Sequence, residues 1–316
     1  MRPLWKDVLT AIWLGMIVPG IVLNAFVLKQ RHQQTQKISV VQMEKDVESG
    51  PFITVQATTD DSLEMELDTY LTGVVLAEMP AAFHEEALKA QSAAARTYTW
   101  KAHTTGGKHG DGSICTDASC CQAFITEESY LTRGGTVENL EKARQAVEST
   151  SPFVLTYEGE LIEAIYFSSS GGSTEDALAV WGTDYPYLQA VSSPEETVVD
   201  TSIYTKPELE QCLGITLSEH PEEWFGAVTY TKGDGIASIE IGDETFTGTQ
   251  LRAVLGLRST DFEVETDGGN IIITTRGYGH RVGMSQYGAN AMAESGSTWQ
   301  KILQHYYPGA ILVPAY

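Results

Sequence analysis

The segment GVVLAEMP, residues 73–80, sets one carboxylate, Glu78, at the end of an apolar run and directly before a proline. A carboxyl in such surroundings is partly desolvated, which raises its pKa and suits it to general-acid chemistry. The competing reading is an ordinary solvated glutamate at a helix terminus. Arg96 is the candidate cation for Glu78, because a helical hairpin hinged at Pro80 would fold the second helix back towards it. Its alternative is a plain surface arginine.

A second group of reactive side chains lies in KHGDGSICTDASCCQAF, residues 108–124, where His109, Cys115, Cys120 and Cys121 share a Gly/Asp/Ser-rich loop. Imidazole and thiolate at short spacing can close a tetrahedral zinc site, and four protein ligands leave no position open for water. Adjacent cysteines seldom bind one ion together, so a three-ligand site or a disulfide is an open alternative on spacing alone. Cys212 stands apart from the cluster.

Two further loops are rich in polar groups. SSSGGST, residues 168–174, offers five hydroxyls and two glycines and could lie against a sugar, or be only a turn. RGYGHRVGMSQYGA, residues 276–289, crowds glycines around His280, and Ser285 is placed to cap a following helix.

These groups need elements to hold them. ITVQAT and LEMEL alternate like short strands. Asp68 is the expected N-cap of a helix that Pro80 ends, and a second helix is expected from His84 to Lys101, with acidic residues in its first turn and basic ones late. VLTYEGELIEAIYFSS, residues 154–169, predicts two strands joined at Glu158-Gly159. Residues 203–258 predict a short helix and then a β-meander running through TFTGTQLRAVLGLR. NIIITTRG predicts a strand, and STWQKILQHYY a last helix closed by Pro308-Gly309. The fold class is α+β, mixed helices and antiparallel β segments forming a groove.

The 316 residues carry 42 acidic against 20 basic side chains, a net charge of -22, which argues against a nucleic-acid partner, since that would need a basic face. Residues 9–28, LTAIWLGMIVPGIVLNAFVL, contain no charge, and at about 1.5 Å per residue they are long enough to cross a bilayer. The expected organisation is a short cytoplasmic tail (1–8), a transmembrane helix (9–28), a juxtamembrane linker (29–50) and an extracytoplasmic domain (51–316) with a subdomain at 195–268.

LDTYLTGVVLAEMPAAFHEEALKAQSAAARTYT, SSSGGSTEDALAVWG with PYLQAV, FTGTQLRAVLGLRST and GYGHRVGMSQYGANAMAESGSTWQKILQHYYPGA together resemble the stage II sporulation protein D family (SpoIID/LytB) of endospore formers. The resemblance implies a membrane-anchored peptidoglycan lytic transglycosylase. It would act on glycan strands stripped of stem peptides by an amidase partner, beside other engulfment-complex membrane proteins, during engulfment in sporulation. Glu78 would be the single acid/base, giving 1,6-anhydro-MurNAc ends, and Arg96 would orient it or bind substrate. Ser170, Gly172, Thr174, Tyr187, His280, Ser285 and Gln286 would line the glycan groove. His109, Cys115, Cys120 and Cys121 would hold a structural zinc, with Cys120 where a histidine is more typical. Gln189 departs from the basic residue that family members often carry after P-Y-L. Some members resemble non-catalytic amidase enhancers that bind the wall, which is the alternative function.

Overall fold

The computed structural model describes residues 50–56 and 62–316. The expected tail, transmembrane helix and most of the linker lie outside the described residues; among those described, no helix is long and apolar enough to cross a membrane. The described fold is a mixed α/β domain.

Strands β1 (Phe52–Gln56) and β2 (Ser62–Glu66) pair antiparallel and lead directly into helix α1 (Leu67–Glu78). The cap of α1 is Glu66, whose carboxylate accepts the Thr69 N–H at 2.7 Å, and not Asp68, which sits inside the first turn. The chain turns at Met79–Pro80 into α2 (Glu85–Thr105), which runs four residues past the expected end, to Gly106 in the left-handed conformation. Ala87, Ala90, Ala93, Ala94 and Ala95 are all fully buried, so α2 is enclosed nearly all round. Small side chains let neighbours close in on it, and added volume there would cost about 1–3 kcal/mol of overpacking.

Two helices follow that the sequence reading passed over, α3 (Glu127–Thr132) and α4 (Val137–Thr150), each capped by a threonine hydroxyl. A short β3 (Ile114–Cys115) precedes them and pairs parallel to β1. Strand β4 (Phe153–Tyr157) turns at Glu158-Gly159 into β5, which is only Glu160–Leu161; the expected long second strand is broken, resuming as β6 (Tyr166–Phe167). Helix α5 is one short turn, Ala177–Trp181.

Residues 199–276 build a second core. It comprises β7 (Val199–Thr205), α6 (Lys206–Leu213), β8 (Phe225–Tyr230), β9 (Ile236–Ile241), β10 (Glu244–Thr247), α7 (Gly248–Leu255), β11 (Asp261–Asp267) and β12 (Asn270–Arg276). The meander is present in the order β10-β9-β8, and β11-β12-β7 forms a second antiparallel sheet. Leu209, Trp224, Ile239, Leu251, Phe262 and Ile273 pack between them. The expected continuation of the meander through GTQLRAVL is instead helical. Thr247 and Gln250 form a reciprocal capping box, satisfying the first free N–H groups and starting a helix where strand alternation would have continued.

The chain then returns to the first core through β13 (Met284–Ser285), parallel to β6, followed by α8 (Gln286–Glu294), α9 (Trp299–Tyr306) and β14 (Ile311–Pro314), which pairs with β4. Gly283, at φ 80, makes the β13–β6 approach possible: a Cβ there would lie 2.0 Å from the Ile165 carbonyl oxygen.

Arg281 ties these parts together. Fully buried, it donates to the carbonyls of Ser170, Ser173 and Gly233 and pairs with Glu175 at 3.2 Å. Arg281→Met should cost about 3–5 kcal/mol, because buried Glu175 loses its cation and three carbonyls lose their donor, while Asp261 keeps Arg276 at 3.4 Å. Denaturant midpoints measure this; a change under 1 kcal/mol would refute the assignment.

Candidate active site and metal centre

Glu78 ends α1 on the wall of a cleft of about 650 Å³. The cleft is lined by the metal loop and Tyr98, by residues 164–168, and by Trp181, Tyr278 and His280. The loop after Cys121 reaches Glu78 because α1 has no side chain at Gly73. A Cβ there would sit 2.4 Å from the Phe124 ring, and the Gly73 carbonyl accepts the Ile125 N–H at 3.3 Å. With the loop docked there, the Ala123 N–H donates to Glu78 Oε1 at 2.7 Å.

Burial raises the Glu78 pKa, and the Ala123 N–H and the Gln286 side chain only partly oppose the rise. Gln286 Nε2 is buried without a hydrogen-bond partner among the described residues. No other Asp or Glu lines the cleft among the described residues. Tyr166, beside Glu78, is fixed by donating to Gln122 Oε1 at 2.8 Å, and Gln122 in turn donates to Thr99.

His280 lies between aromatic rings, 5.5 Å from Phe167 and 5.3 Å from Trp181. Burial, helped by the charge of Arg252, pushes its pKa down to about 4, so it is neutral near pH 7. Its Nδ1 accepts the Val282 N–H. Because the folded pKa is below the unfolded 6.5, the folded state binds fewer protons, and stability is lost as pH falls from about 6.5 towards 4. The difference amounts to about 3 kcal/mol. His280→Asn should remove this part of the acid sensitivity; unfolding curves of the variant and wild type that stay parallel from pH 7 to 4 would refute it.

The remaining candidate residues lie elsewhere. Arg96 is fully buried and bonds Asp68, Thr150 and the Val147 carbonyl. Asp68 and Glu78 stand at opposite ends of α1, roughly 15 Å apart along its axis. The hairpin thus brings Arg96 to the start of α1 and not to Glu78, and its role is to join α1, α2 and α4.

Ser170, Thr174 and Ser285 are fully buried and turn inward. The Glu195 carboxylate accepts from the Ser170 N–H, the Ser170 hydroxyl and the Ser285 hydroxyl at 2.6, 2.6 and 2.8 Å. These bonds outweigh the burial of Glu195 and lower its pKa. Thr174 meets the Gln189 and Val191 carbonyls, and the Ser285 hydroxyl also caps α8. Gly172 is exposed but is not part of the cleft wall. Tyr187 is buried between Tyr157 and Tyr185, with its hydroxyl accepting the Glu163 N–H. Gln189 donates to the Tyr185 carbonyl.

Of the sequence candidates, the structure therefore brings together Glu78, His280, Gln286 and the metal loop. The cleft residues missed from sequence are Tyr98, Lys108, Gln122, Tyr166, Trp181 and Tyr278. Lys108 and Gln122 belong to the cysteine loop, Tyr98 sits on the packing face of α2, and Tyr166, Trp181 and Tyr278 carry no local signal that sets them apart from core aromatics.

In the metal loop, the ligand atoms of His109, Cys115, Cys120 and Cys121 all lie within 4.8 Å of one another, which makes a structural metal site of zinc type. Zinc–sulfur and zinc–nitrogen bonds of about 2.3 and 2.0 Å at tetrahedral angles put donors roughly 3.5–3.8 Å apart. The observed Cys121–His109 and Cys120–Cys121 separations are 3.5 and 3.9 Å, so the donor set fits that ion. The Asp117 carbonyl accepts the N–H groups of both Cys120 and Cys121, forming the turn that lets neighbouring thiols converge.

Residues 56–157 match a family described as Stage II sporulation protein. The chain is 40% identical to stage II sporulation protein D of Bacillus amyloliquefaciens over 83% of its own length and 78% of that protein. It is likewise 40% identical to stage II sporulation protein D of Bacillus subtilis, covering 81% and 77% of the two chains. An amidase enhancer of Bacillus subtilis is 30% identical over 77% of this chain and 40% of its own. The combination of a half-buried glutamate in a cleft, a Cys/His metal loop and these similarities places the chain in the stage II sporulation protein D family.

Proposed function

We propose that the protein is a lytic transglycosylase acting on peptidoglycan strands freed of stem peptides. The observation that carries this reading is Glu78: a half-buried carboxyl with a raised pKa, standing as the sole acid among the described residues of the cleft wall. Protonated Glu78 donates to the glycosidic oxygen between N-acetylmuramic acid and N-acetylglucosamine. The bond from that oxygen to C1 of the muramic residue breaks. The same carboxylate then takes the proton of the muramic C6 hydroxyl as O6 closes on C1, leaving a 1,6-anhydro end. Because the nucleophile belongs to the substrate, no second carboxylate is needed to activate water.

Trp181 and Tyr278 offer faces for sugar rings, the latter held by Arg258 at 5.3 Å from its ring centroid. Neutral His280 lines the same cleft, and the buried Gln286 amide helps set the Glu78 pKa. The metal would be held by His109 and the three cysteines, and it would contribute the shape of the loop; four protein ligands argue against a zinc hydrolase. The same reading places residues 9–28 as a membrane anchor, 29–50 as a linker and 51–316 outside the cytosol, alongside an amidase and other engulfment proteins.

The similarity to an amidase enhancer supports a second reading, a wall-binding module without activity of its own. Incubating the purified protein alone with stem-free glycan and analysing products by mass spectrometry separates the two. Anhydro-muramic ends support the enzyme; their absence with intact strand binding supports the enhancer.

A further inference from the structure

Lys108 follows α2 and precedes the metal ligand His109, and its side chain borders two adjoining spaces. One is the main cleft. The other is a cavity of about 280 Å³ lined by Lys101, Thr105 and Glu163 among others, which shares Tyr98, Lys108 and Cys121 with the cleft. Lys101 in that side cavity is neutralised by Glu163 at 2.7 Å. Lys108 has no carboxylate partner among the described residues. Its ammonium donates to the Cys120 carbonyl and stands 6.0 Å from the Tyr98 ring centroid, both neutral groups. It is the sole Lys or Arg among the described residues of the cleft wall, in a chain of net charge -22.

The Lys108 charge also acts on the Cys120 thiol, but that group is engaged in the metal loop. A cation without a carboxylate partner at a cleft wall, with donors to spare, is suited to an anion carried by the ligand. We propose that Lys108 anchors the free lactyl carboxylate of a muramic acid residue bound in the cleft. This rests on the glycan reading given above and gives that reading a source of selectivity. In a strand that still bears stem peptides, the lactyl carbonyl is an amide and carries no charge. Hydrolysis of that amide creates the carboxylate that Lys108 would bind, so an amide-hydrolysing reaction must supply the preferred substrate. Selection of stripped strands would then be attractive and local. The acidic surface elsewhere would add only a screened, long-range repulsion.

The test measures binding in a Glu78→Gln background, so that no strand is cleaved, with two probes. One is stem-free glycan with free lactyl carboxylates; the other is the same glycan with those carboxylates converted to methylamides. The parent protein should bind the carboxylate strand about tenfold tighter, as one charge-assisted contact allows. Adding Lys108→Met should abolish the preference while leaving affinity for the amide strand and metal content unchanged, and Lys108→Arg should retain the preference.

A parent that binds both strands equally would overturn the proposal alone, as would a Lys108→Met protein that weakens both equally. Metal loss in Lys108→Met would also overturn it, since the lysine would then serve the loop and not the glycan. A parent that binds neither strand would overturn the glycan reading and this proposal with it.

Discussion

Glu78→Gln should reduce the release of anhydro-ended products from stem-free glycan by about 10²–10⁴-fold, the usual contribution of a positioned general acid. The substitution suits the test because the amide oxygen can still accept the Ala123 N–H, so the loop stays docked. Stability should move the other way. The folded pKa of Glu78 lies above its unfolded value, so its stabilising contribution is complete below the unfolded pKa and is lost as pH rises through the folded one. At neutral pH a charged, half-desolvated carboxylate is therefore a burden on the fold, and glutamine relieves it. The variant should melt at or above the wild-type temperature at pH 7, with the difference vanishing below about pH 4.5, near the ordinary glutamate pKa.

Wild-type kcat/KM should fall as pH rises through the raised Glu78 pKa, because the acid form is lost. Retained wild-type turnover in Glu78→Gln would end the single-acid mechanism. Lost turnover with a lower melting temperature would instead mark Glu78 as structural. The opposite movement of activity and stability is the signature of a carboxyl kept in an unfavourable place for its chemistry.

How far the site was legible from sequence follows from the range of the interactions involved. Glu78 was legible because it ends an apolar run at a proline, although the loop that docks against it, residues 121–125, comes from farther along the chain. The metal quartet was legible because all four ligands fall in one short loop, and only the convergence of adjacent Cys120 and Cys121 required the turn at Asp117. The hydroxyl loop, open between a sugar-facing surface and a turn, was undecidable for the opposite reason, and only Ser168 of it lines the cleft. Its polarity suggests a ligand surface, but its partners, Glu195 and Arg281, are distant in sequence and draw it inward. Arg96 was misplaced by one geometric step, since a hairpin that turns through residues 79–84 pairs residues at nearly matching distances from the middle of that turn. The residue opposite Arg96 is then Asp68 and not Glu78.

The fold shows the same division. Helix α4 was available from its Thr136 cap and the spacing of Leu140, Ala143, Val147 and Thr150, but its face is mostly small and gives a weak periodic signal. The parallel pairings β1–β3 and β6–β13 could not be read locally, because each is only two residues long and is set by the packing around it.

Removing the metal should lower the melting temperature sharply and disable the cleft by the same event. A structural zinc contributes its binding free energy to the folded state, and at a thousandfold excess over Kd the linkage alone is worth about 4 kcal/mol. The coupling to Glu78 is short. Ala123, whose N–H holds the carboxyl, lies two residues after the ligand Cys121, and Gln122 between them positions Tyr166. Burial pushes the unmetallated Cys121 thiol up to about 12, so binding must displace its proton, and affinity should weaken as pH falls.

Cys121→Ser should therefore lose both metal and melting temperature. Cys212→Ser, at an exposed position, should change neither. The decisive measurement pairs calorimetry with turnover on chelated protein, assayed below its own melting temperature. An unchanged melting temperature would refute a structural ion. An unchanged melting temperature with complete loss of turnover would make the metal catalytic, against a donor set that already fills all four positions. Loss of stability together with a loosened Glu78, seen as a shifted pH dependence of the residual activity, is the result expected of an ion that shapes the cleft from outside it.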